Sequence, residues 1–405
     1  MKITTNKLTN GIRLIHQYSE SPVAHFGVML CVGMCDETEG EEGIAHFIEH
    51  MLFKGTHSKP LHQIFDTIEG LGGELNAYTT KENTAIFASL LTQDLPVSVE
   101  LLSDILRNST FPTKEIDKEK TVIIEEINSY KDSPSELIFD EFDEMLFSGH
   151  PLGRNILGTK KSVQNTTQAK IFNFIKRNYT SNRIVLSMVG KTPFEDFKKL
   201  CELYFGDIKP SHSQRPLTSI AGKSFKKTKR KSTYQAHTIL GVPAYSISHP
   251  RRLGLVMLSN LLGGSSMNSR LNMSIREEHG LAYNIESSYS AFRDIGLFNV
   301  YFGCEKGNSN RIIDLVASEF QRLREVPLNE EELKALKKQF VGQIAISNED
   351  HADLMLMLAK SMLVFDKVDT YEQIVEKVKL VSAEELQCIA NEILDIKNFS
   401  VLSYK

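Results

Sequence analysis

The segment His46-Phe47-Ile48-Glu49-His50 contains the residues whose types and spacing are best suited to chemistry. On an α-helix, histidines four residues apart lie on one face, so two imidazole nitrogens can bind the same metal ion. Glu49 would lie about 60° around the helix from His46 and about 100° from His50. A carboxylate in that position lies beside the metal-facing surface, where it can act as a general base.

The residues around this segment are apolar on nearly every side of the expected helix. They are Ile44, Phe47, Ile48, Met51, Leu52 and Phe53. A helix with this pattern is buried all round, so His46, Glu49 and His50 would be interior polar groups. The alternative is a pair of ordinary core histidines with satisfied hydrogen bonds. Because burying three polar groups without partners costs free energy, we predict a metal site that satisfies all three.

A third metal ligand is expected from residues 113–131, because catalytic zinc takes three protein ligands and one water. Apolar residues recur in this range at helical spacing, which predicts a helix. Glu119 and Glu126 fall within the apolar stripe two turns apart, whereas Glu125 points about 100° away. We therefore predict Glu126 as the third ligand and Glu119 as a residue that orients a histidine. The alternative for Glu119 is an ordinary, partly solvated acid.

This ligand pattern resembles that of the pitrilysin-type inverted zincins, the family of insulysin, pitrilysin and the mitochondrial processing peptidases. Further segments resemble this family in the family's order: Gly43-Ile-Ala-His46, His50-Met-Leu-Phe-Lys-Gly-Thr56, Gly72-Gly-Glu-Leu-Asn76-Ala77, His150-Pro-Leu-Gly153, Leu261-Leu-Gly-Gly264 and Arg276-Glu-Glu-His-Gly-Leu-Ala-Tyr283. The resemblance implies a zinc metalloendopeptidase that binds one Zn²⁺ per chain and hydrolyses unfolded or presequence-like peptides.

The resemblance also implies roles for residues that would otherwise attract no attention. Asn76 and Ala77 match the positions that hold the peptide backbone by adding it as a strand to an exposed edge. Arg276 and Tyr283 match the pair that binds substrate and steadies the oxyanion. Without the resemblance, Asn76 and Ala77 would be read as part of an ordinary turn and strand. Arg276 would be read as a member of a surface ion pair and Tyr283 as a core phenol.

Length and composition exclude several other classes of protein. A chain of 405 residues with 41% hydrophobic and 24% charged residues is long enough for two domains with cores. A net charge of −4 makes nucleic acid a poor partner. No stretch approaches the roughly 20 apolar residues of a membrane span. Five scattered cysteines and a start without an apolar signal segment lead us to expect a cytoplasmic protein with free thiols.

The distribution of elements predicts an α+β fold with two domains. Strand-like runs alternate irregularly with helical stretches, and residues 213–231 are rich in Ser, Pro, Lys and Arg, which is typical of a basic linker. We therefore predict a zinc-binding domain at 1–212 and a second domain at 232–405. A shift of 212 residues places Leu258, Leu261 and Leu262 opposite the zinc segment, so the second domain looks like a copy without metal. The resemblance implies that each domain is a mostly antiparallel sheet with helices packed on one face.

The resemblance also leads to an expectation about assembly. The family's single-chain members are twice this size, so an enclosed chamber would need two chains. A homodimer is our first expectation, and a heterodimer with a non-catalytic relative is the alternative. Two other functions remain open: a catalytically inactive structural or regulatory subunit with the same fold, and a zinc hydrolase of non-peptide substrates.

Overall fold

The computed structural model describes residues 3–216, 218, 220 and 222–405. Its strands are β1 (Ile3–Lys7), β2 (Arg13–Tyr18), β3 (Val23–Leu30), β4 (Glu74–Thr79), β5 (Thr84–Leu91), β6 (Ile184–Gly190), β7 (Lys226–Lys229), β8 (Ala236–Ala244), β9 (Ala282–Ala291), β10 (Gly296–Cys304) and β11 (Ser400–Tyr404). Its α-helices are α1 (Ile44–Met51), α2 (Leu61–Glu69), α3 (Leu95–Asn108), α4 (Thr113–Lys131), α5 (Pro134–Leu146), α6 (Lys160–Gln164), α7 (Gln168–Asn178), α8 (Phe194–Phe205), α9 (Arg252–Gly263), α10 (Ser309–Glu325), α11 (Glu330–Ser347), α12 (His351–Phe365), α13 (Tyr371–Leu380) and α14 (Ala383–Ile393). Across the described residues, none of these helices is long and apolar enough to cross a membrane.

The chain forms two compact units, each made of non-contiguous segments. Unit 1 contains Met1–Ile127, Arg154–Arg215 and Ile346–Thr370, and unit 2 contains Asn128–Gly153, Pro216–Ala345 and Tyr371–Lys405. The predicted domains at 1–212 and 232–405 are continuous, so this division differs from them in two places. Residues 128–153 and 346–370 each include a helix that packs on the sheet of the other half of the chain.

The two sheets share one strand arrangement. In unit 1 the order is β1-β2-β6-β3-β5-β4, and in unit 2 it is β7-β11-β8-β10-β9. The β2–β6 and β7–β11 pairs are parallel, while the other pairs are antiparallel. Apart from β1, each strand of one sheet has a counterpart in the other. The predicted α+β class with two related, mostly antiparallel sheets is therefore confirmed.

The internal similarity predicted from the sequence matches the position of α9. This helix follows β8 as α1 follows β3, and it carries Leu258, Leu261 and Leu262 where α1 carries the zinc segment. Leu258 and Leu262 are fully buried in the core of unit 2. Unit 2 therefore repeats the architecture of unit 1 with leucines in place of the polar residues.

The prediction that residues 213–231 form a basic linker is wrong for Lys226–Lys229. Lys226–Lys229 forms the edge strand β7, which pairs in parallel with β11. Three of its four residues are exposed, and lysines on an edge strand discourage pairing with other chains. The lysine-rich composition that indicated a linker is therefore also compatible with a protected sheet edge.

One helix covers the face of the unit 1 sheet opposite to α8. Phe26 of β3 faces α8, where it contacts Phe197 and Phe205. On the other side of β3, a Cβ atom at Gly27 would lie only 2.6 Å from Sδ of Met355 in α12. Glycine at this position thus allows α12 to pack closely on the sheet.

The unit 2 sheet has a comparable helix, α5, from the first half of the chain. A Cβ atom at Gly241 of β8 would lie 2.7 Å from the ring of Phe142. Phe142 is fully buried, and Leu240, the neighbour of Gly241, belongs to the main core of unit 2. Because successive strand residues point to opposite faces, α5 lies on the face opposite to that core. Both sheets therefore have helices on two faces, whereas the resemblance implied helices on one face.

The packing of α12 makes a matched pair of substitutions informative. Met355 is fully buried, whereas Met357 on the same helix is 38% exposed. We expect Met355→Ala to lower the free energy of unfolding by about 2–4 kcal/mol, since it opens a cavity against the sheet. Met357→Ala should change it by about 0.5 kcal/mol or less. Urea unfolding measures both, and equal effects would contradict the assignment of α12 to the core of unit 1.

Candidate metal centre

The helix α1 begins without a side-chain cap of its own. Gly43 precedes it with a φ of 84°, and a Cβ atom there would lie 2.6 Å from the carbonyl oxygen of Leu157. The buried carboxylate of Glu37 instead accepts hydrogen bonds from the backbone N–H groups of Gly43 and Ala45, both at 3.0 Å. Burial raises the pKa of Glu37 to about 8, although these two hydrogen bonds oppose the shift. Glu37 therefore fixes the start of the helix that carries both histidines.

The predicted ligands His46, His50 and Glu126 converge. Their ligand atoms all lie within 4.8 Å of one another. His46 Nε2 lies 3.8 Å from Glu126 Oε1, and His50 Nε2 lies 3.7 Å from Glu126 Oε2. Two ligand atoms on a tetrahedral zinc ion at its usual bond lengths are about 3.4 Å apart. These separations are too long for direct hydrogen bonds and close to those of atoms that share an ion.

The buried oxygen of Glu126 and the charge state of His46 support the same conclusion. Glu126 Oε2 is buried and has no hydrogen-bond partner within the described parts of the chain, and the same holds for His46 Nδ1. Burial and the neighbouring His50 ring lower the pKa of His46 to about 4, so the imidazole is neutral at pH 7 and can bind a cation. The residues therefore fit a divalent metal, and two imidazoles with one carboxylate are a common catalytic zinc set.

Glu119 lies beside this group and contacts one of its histidines. Its Oε1 is 2.9 Å from His50 Nδ1, the ring nitrogen opposite the one that faces Glu126. Its Oε2 is 2.8 Å from the ammonium of Lys54. Burial disfavours the charged carboxylate, but the hydrogen bonds from His50 and Lys54 outweigh it and hold the pKa of Glu119 below its usual value. A carboxylate behind a histidine ligand orients the ring and strengthens metal binding.

Glu49 is held by the last residue of β4. The side chain and the backbone of Thr79 both hydrogen-bond to its carboxylate. Burial raises the pKa of Glu49 and the charge of Glu126 adds to the shift, while His50 and Thr79 oppose it. A carboxyl group that is held in place beside two predicted ligands is positioned to accept and return a proton.

The other predicted site residues are distributed over both units. Asn76 and Ala77 lie on β4, which is an edge strand of its sheet, and β4 contacts α1. Arg276 and Tyr283 lie in unit 2, at a π-helix spanning Asn272–Glu278 and at the start of β9. Tyr283 is 81% exposed and is therefore not a core phenol. The Arg276 side chain lies 3.6 Å from Met267 Sδ and 3.7 Å from the carboxylate of Glu277.

Three residues around the centre were not identified from the sequence: Glu37, Lys54 and Thr79. Each contacts a part of the site that is distant along the chain or lies in another element. A sequence signal exists only for Glu37, an acid shortly before a helix that begins with glycine. Nothing in the spacing of Lys54 or Thr79 indicates their partners.

The His-x-x-Glu-His pattern on a helix is the motif of the inverted zincins, and here a glutamate of a second helix joins the two histidines. Residues 13–160 match the family model "Insulinase (Peptidase family M16)", and residues 165–340 match "Peptidase M16 inactive domain". The chain belongs to peptidase family M16.

Relatives of similar length are named as zinc proteases. The chain is 31% identical over 386 residues to the uncharacterized zinc protease YmxG of Bacillus subtilis, an alignment that covers 95% of this chain and 94% of that protein. It is also 31% identical over 397 residues to an uncharacterized zinc protease of Streptomyces coelicolor, with 96% and 86% covered. These names support a zinc-dependent peptidase and indicate no substrate.

Two solved structures share the fold along the whole chain. A peptidase M16 inactive domain from Pseudomonas fluorescens has a TM-score of 0.91 at 19% identity and covers 100% of this chain and 98% of its own. A protease from Helicobacter pylori has a TM-score of 0.90 at 20% identity, with 100% and 99% covered. At these identities the likeness shows the fold alone.

The third ligand can be tested with two adjacent glutamates of α4. Glu125 is exposed, whereas Glu126 belongs to the convergent group. We expect Glu126→Gln to weaken zinc binding by about 10-fold or more, because a neutral amide replaces an anionic ligand. Glu125→Gln should bind zinc as the wild type does. Chelator competition measures both affinities, and equal zinc binding by the two variants would contradict the assignment.

Proposed function

We propose that the protein is a zinc-dependent endopeptidase that hydrolyses unfolded or presequence-like peptides. The observation that carries this proposal is the convergence of His46, His50 and Glu126, with the separately held carboxylate of Glu49 close enough for its pKa to respond to His50 and Glu126. The names of the relatives support the same class of reaction.

The chemistry divides between the metal and one carboxylate. A zinc ion bound to His46, His50 and Glu126 would polarise a peptide carbonyl and lower the pKa of water. Glu49 accepts the proton of the attacking water and returns it to the leaving amine. Thr79 keeps the Glu49 carboxylate in place through two hydrogen bonds, so the base is positioned before substrate arrives.

The edge strand β4 is proposed to hold the substrate backbone. An extended peptide can add to a free sheet edge through main-chain hydrogen bonds, and these are independent of the peptide's sequence. Asn76 and Ala77 would supply this edge, and Thr79 at the end of the same strand contacts the base. A substrate bound in this way must be extended, which favours unfolded peptides over folded proteins.

Arg276 and Tyr283 are proposed to bind substrate and steady the oxyanion. Their polar groups suit this role, since a guanidinium and a phenol both donate hydrogen bonds. The exposure of Tyr283, at 81%, leaves its hydroxyl available for a ligand.

The proposed assembly is a homodimer that encloses the substrate, with a heterodimer as the alternative. One chain carries both the metal ligands and the Arg276 and Tyr283 pair, so two identical chains form a complete enzyme. Light scattering at several protein concentrations measures the mass of the assembly.

We also propose a reducing compartment such as the cytoplasm, supported by five cysteines that are all unpaired.

The role of Glu49 is tested by separating catalysis from metal binding. We expect Glu49→Gln to lower kcat for a quenched fluorescent peptide by about 10²–10⁴-fold, because the general base is lost. Zinc content should equal that of the wild type, because Glu49 is not a ligand. Glu125→Gln is the matched control and should retain activity.

Wild-type activity in Glu49→Gln would contradict the proposed base. A wild type that binds zinc and cleaves simple esters but no peptides would indicate a hydrolase of non-peptide substrates. A wild type with neither zinc nor activity would indicate a structural or regulatory subunit.

A second substitution tests the oxyanion role. We expect Tyr283→Phe to lower kcat by about 10²-fold with a smaller change in KM, since a donor that acts in the transition state is removed. Tyr234 is 100% exposed in the same unit, so Tyr234→Phe is the matched control and should leave kcat unchanged. A kcat for Tyr283→Phe equal to that of the control would contradict the role.

A further inference from the structure

Lys54 is the one cation in direct contact with the carboxylates of the metal centre among the ion pairs of the described residues. It follows α1 in a turn, where its backbone N–H donates to the carbonyl of Met51. Its side chain is 24% exposed and its ammonium lies 2.8 Å from Glu119 Oε2. Neither the proposed ligand set nor the proposed catalytic steps use this residue.

The contacts of Glu119 explain what Lys54 can do. Glu119 and Glu126 lie on the same face of α4 two turns apart, so either carboxylate is chemically able to bind a cation near the histidines. Both oxygens of Glu119 are already engaged, one by His50 and the other by Lys54. Removal of the ammonium would free one oxygen of a buried carboxylate close to the metal ligands.

Charge gives Lys54 a second effect on Glu119. Its ammonium compensates the negative charge of the Glu119 oxygen that faces away from His50. Because Glu119 side-chain exposure is only 7%, water contributes little to compensating its charge.

We propose that Lys54 is a positioning residue that acts through Glu119, holding it as the hydrogen-bond partner of His50 and preventing it from becoming a metal ligand. This inference rests on the proposed zinc function. It assigns to Lys54 an effect on metal affinity that is independent of catalysis and can be measured without substrate.

The test compares two lysines that follow the same helix. Lys54→Met removes the ammonium and keeps an unbranched side chain that is one atom shorter. Lys59→Met is the matched control, because the side chain of Lys59 is 23% exposed and its ammonium lies 3.9 Å from Glu100, away from the site residues. Chelator competition gives the zinc affinity of each variant, and circular dichroism of the metal-free proteins confirms that they fold.

We expect Lys54→Met to weaken zinc binding by about 10-fold, Lys59→Met to leave it unchanged and Lys54→Arg to restore most of the affinity. We also expect Glu119→Gln to weaken binding by about 10–100-fold, and the double variant Lys54→Met with Glu119→Gln to bind no more weakly than Glu119→Gln alone. This lack of additivity would show that Lys54 acts through Glu119, a result that a purely structural role would not produce.

Three results would overturn the inference while leaving the proposed function intact: unchanged affinity in Lys54→Met, equal losses in Lys54→Met and Lys59→Met, or additive losses in the double variant. If Lys54→Met does not fold, Lys54→Gln takes its place, alone and combined with Glu119→Gln. The zinc affinities of these variants and of Lys54→Arg then decide by the same criteria. A wild-type protein that binds no zinc would instead overturn the proposed function, and the role of Lys54 with it.

Discussion

The structure of the site depends on bringing a carboxylate of α4 to two imidazoles of α1 inside a largely apolar unit. His46 is 8% exposed, and its ring centroid lies 4.5 Å from that of His50. Two imidazoles and a carboxylate are costly to bury together unless a cation compensates the charge of Glu126 and accepts the imidazole lone pairs. The apolar residues of both helices therefore have two effects. They pack the unit, and they shield His46 and the buried oxygen of Glu126 from solvent, which strengthens electrostatic interactions at these atoms.

His50, the proposed base Glu49 and the start of α1 are each held by a residue from another element. Glu119 orients His50, Thr79 holds Glu49, and Glu37 caps the helix on which both histidines lie. These contacts fix the directions of the polar groups before any ligand binds, and such preorganisation is a large part of catalytic power. The last residue of β4 contacts the proposed base, so the edge proposed to bind peptide and the base belong to one rigid arrangement. Unit 2 repeats the same sheet with leucines on α9, which shows that the fold itself does not require the metal residues.

The sequence predicted the parts of the site that follow local periodicity. The helix at 113–131 has the predicted bounds, and Glu126 was found because an acid within an apolar stripe needs a partner. The sequence also places Val122 among the apolar residues of this helix, but its side chain is 51% exposed. Lys54 was missed because its partner lies in another helix, and the spacing of residues carries no information about such contacts.

The fold shows the same division between local and distant effects. Strand-like runs were predicted from the sequence, and the exposed edge that carries Asn76 and Ala77 was implied by the resemblance. The sequence could not predict which sheet α12 packs on, because the Met and Leu residues of α12 extend around most of the helix and mark no single face. The β7 edge strand was read as a linker since its lysines, which protect an edge, have the composition of a solvated loop.

The central claim is that one divalent ion is shared by His46, His50 and Glu126. Anomalous diffraction at the zinc absorption edge, from crystals grown with zinc, measures the ion's position directly. The account predicts one strong peak at about 2.0–2.2 Å from Nε2 of each histidine and from a carboxylate oxygen of Glu126, with Glu49 and Glu119 outside bonding distance. No peak between the two helices, or a peak bonded to Glu119 in place of Glu126, would contradict it.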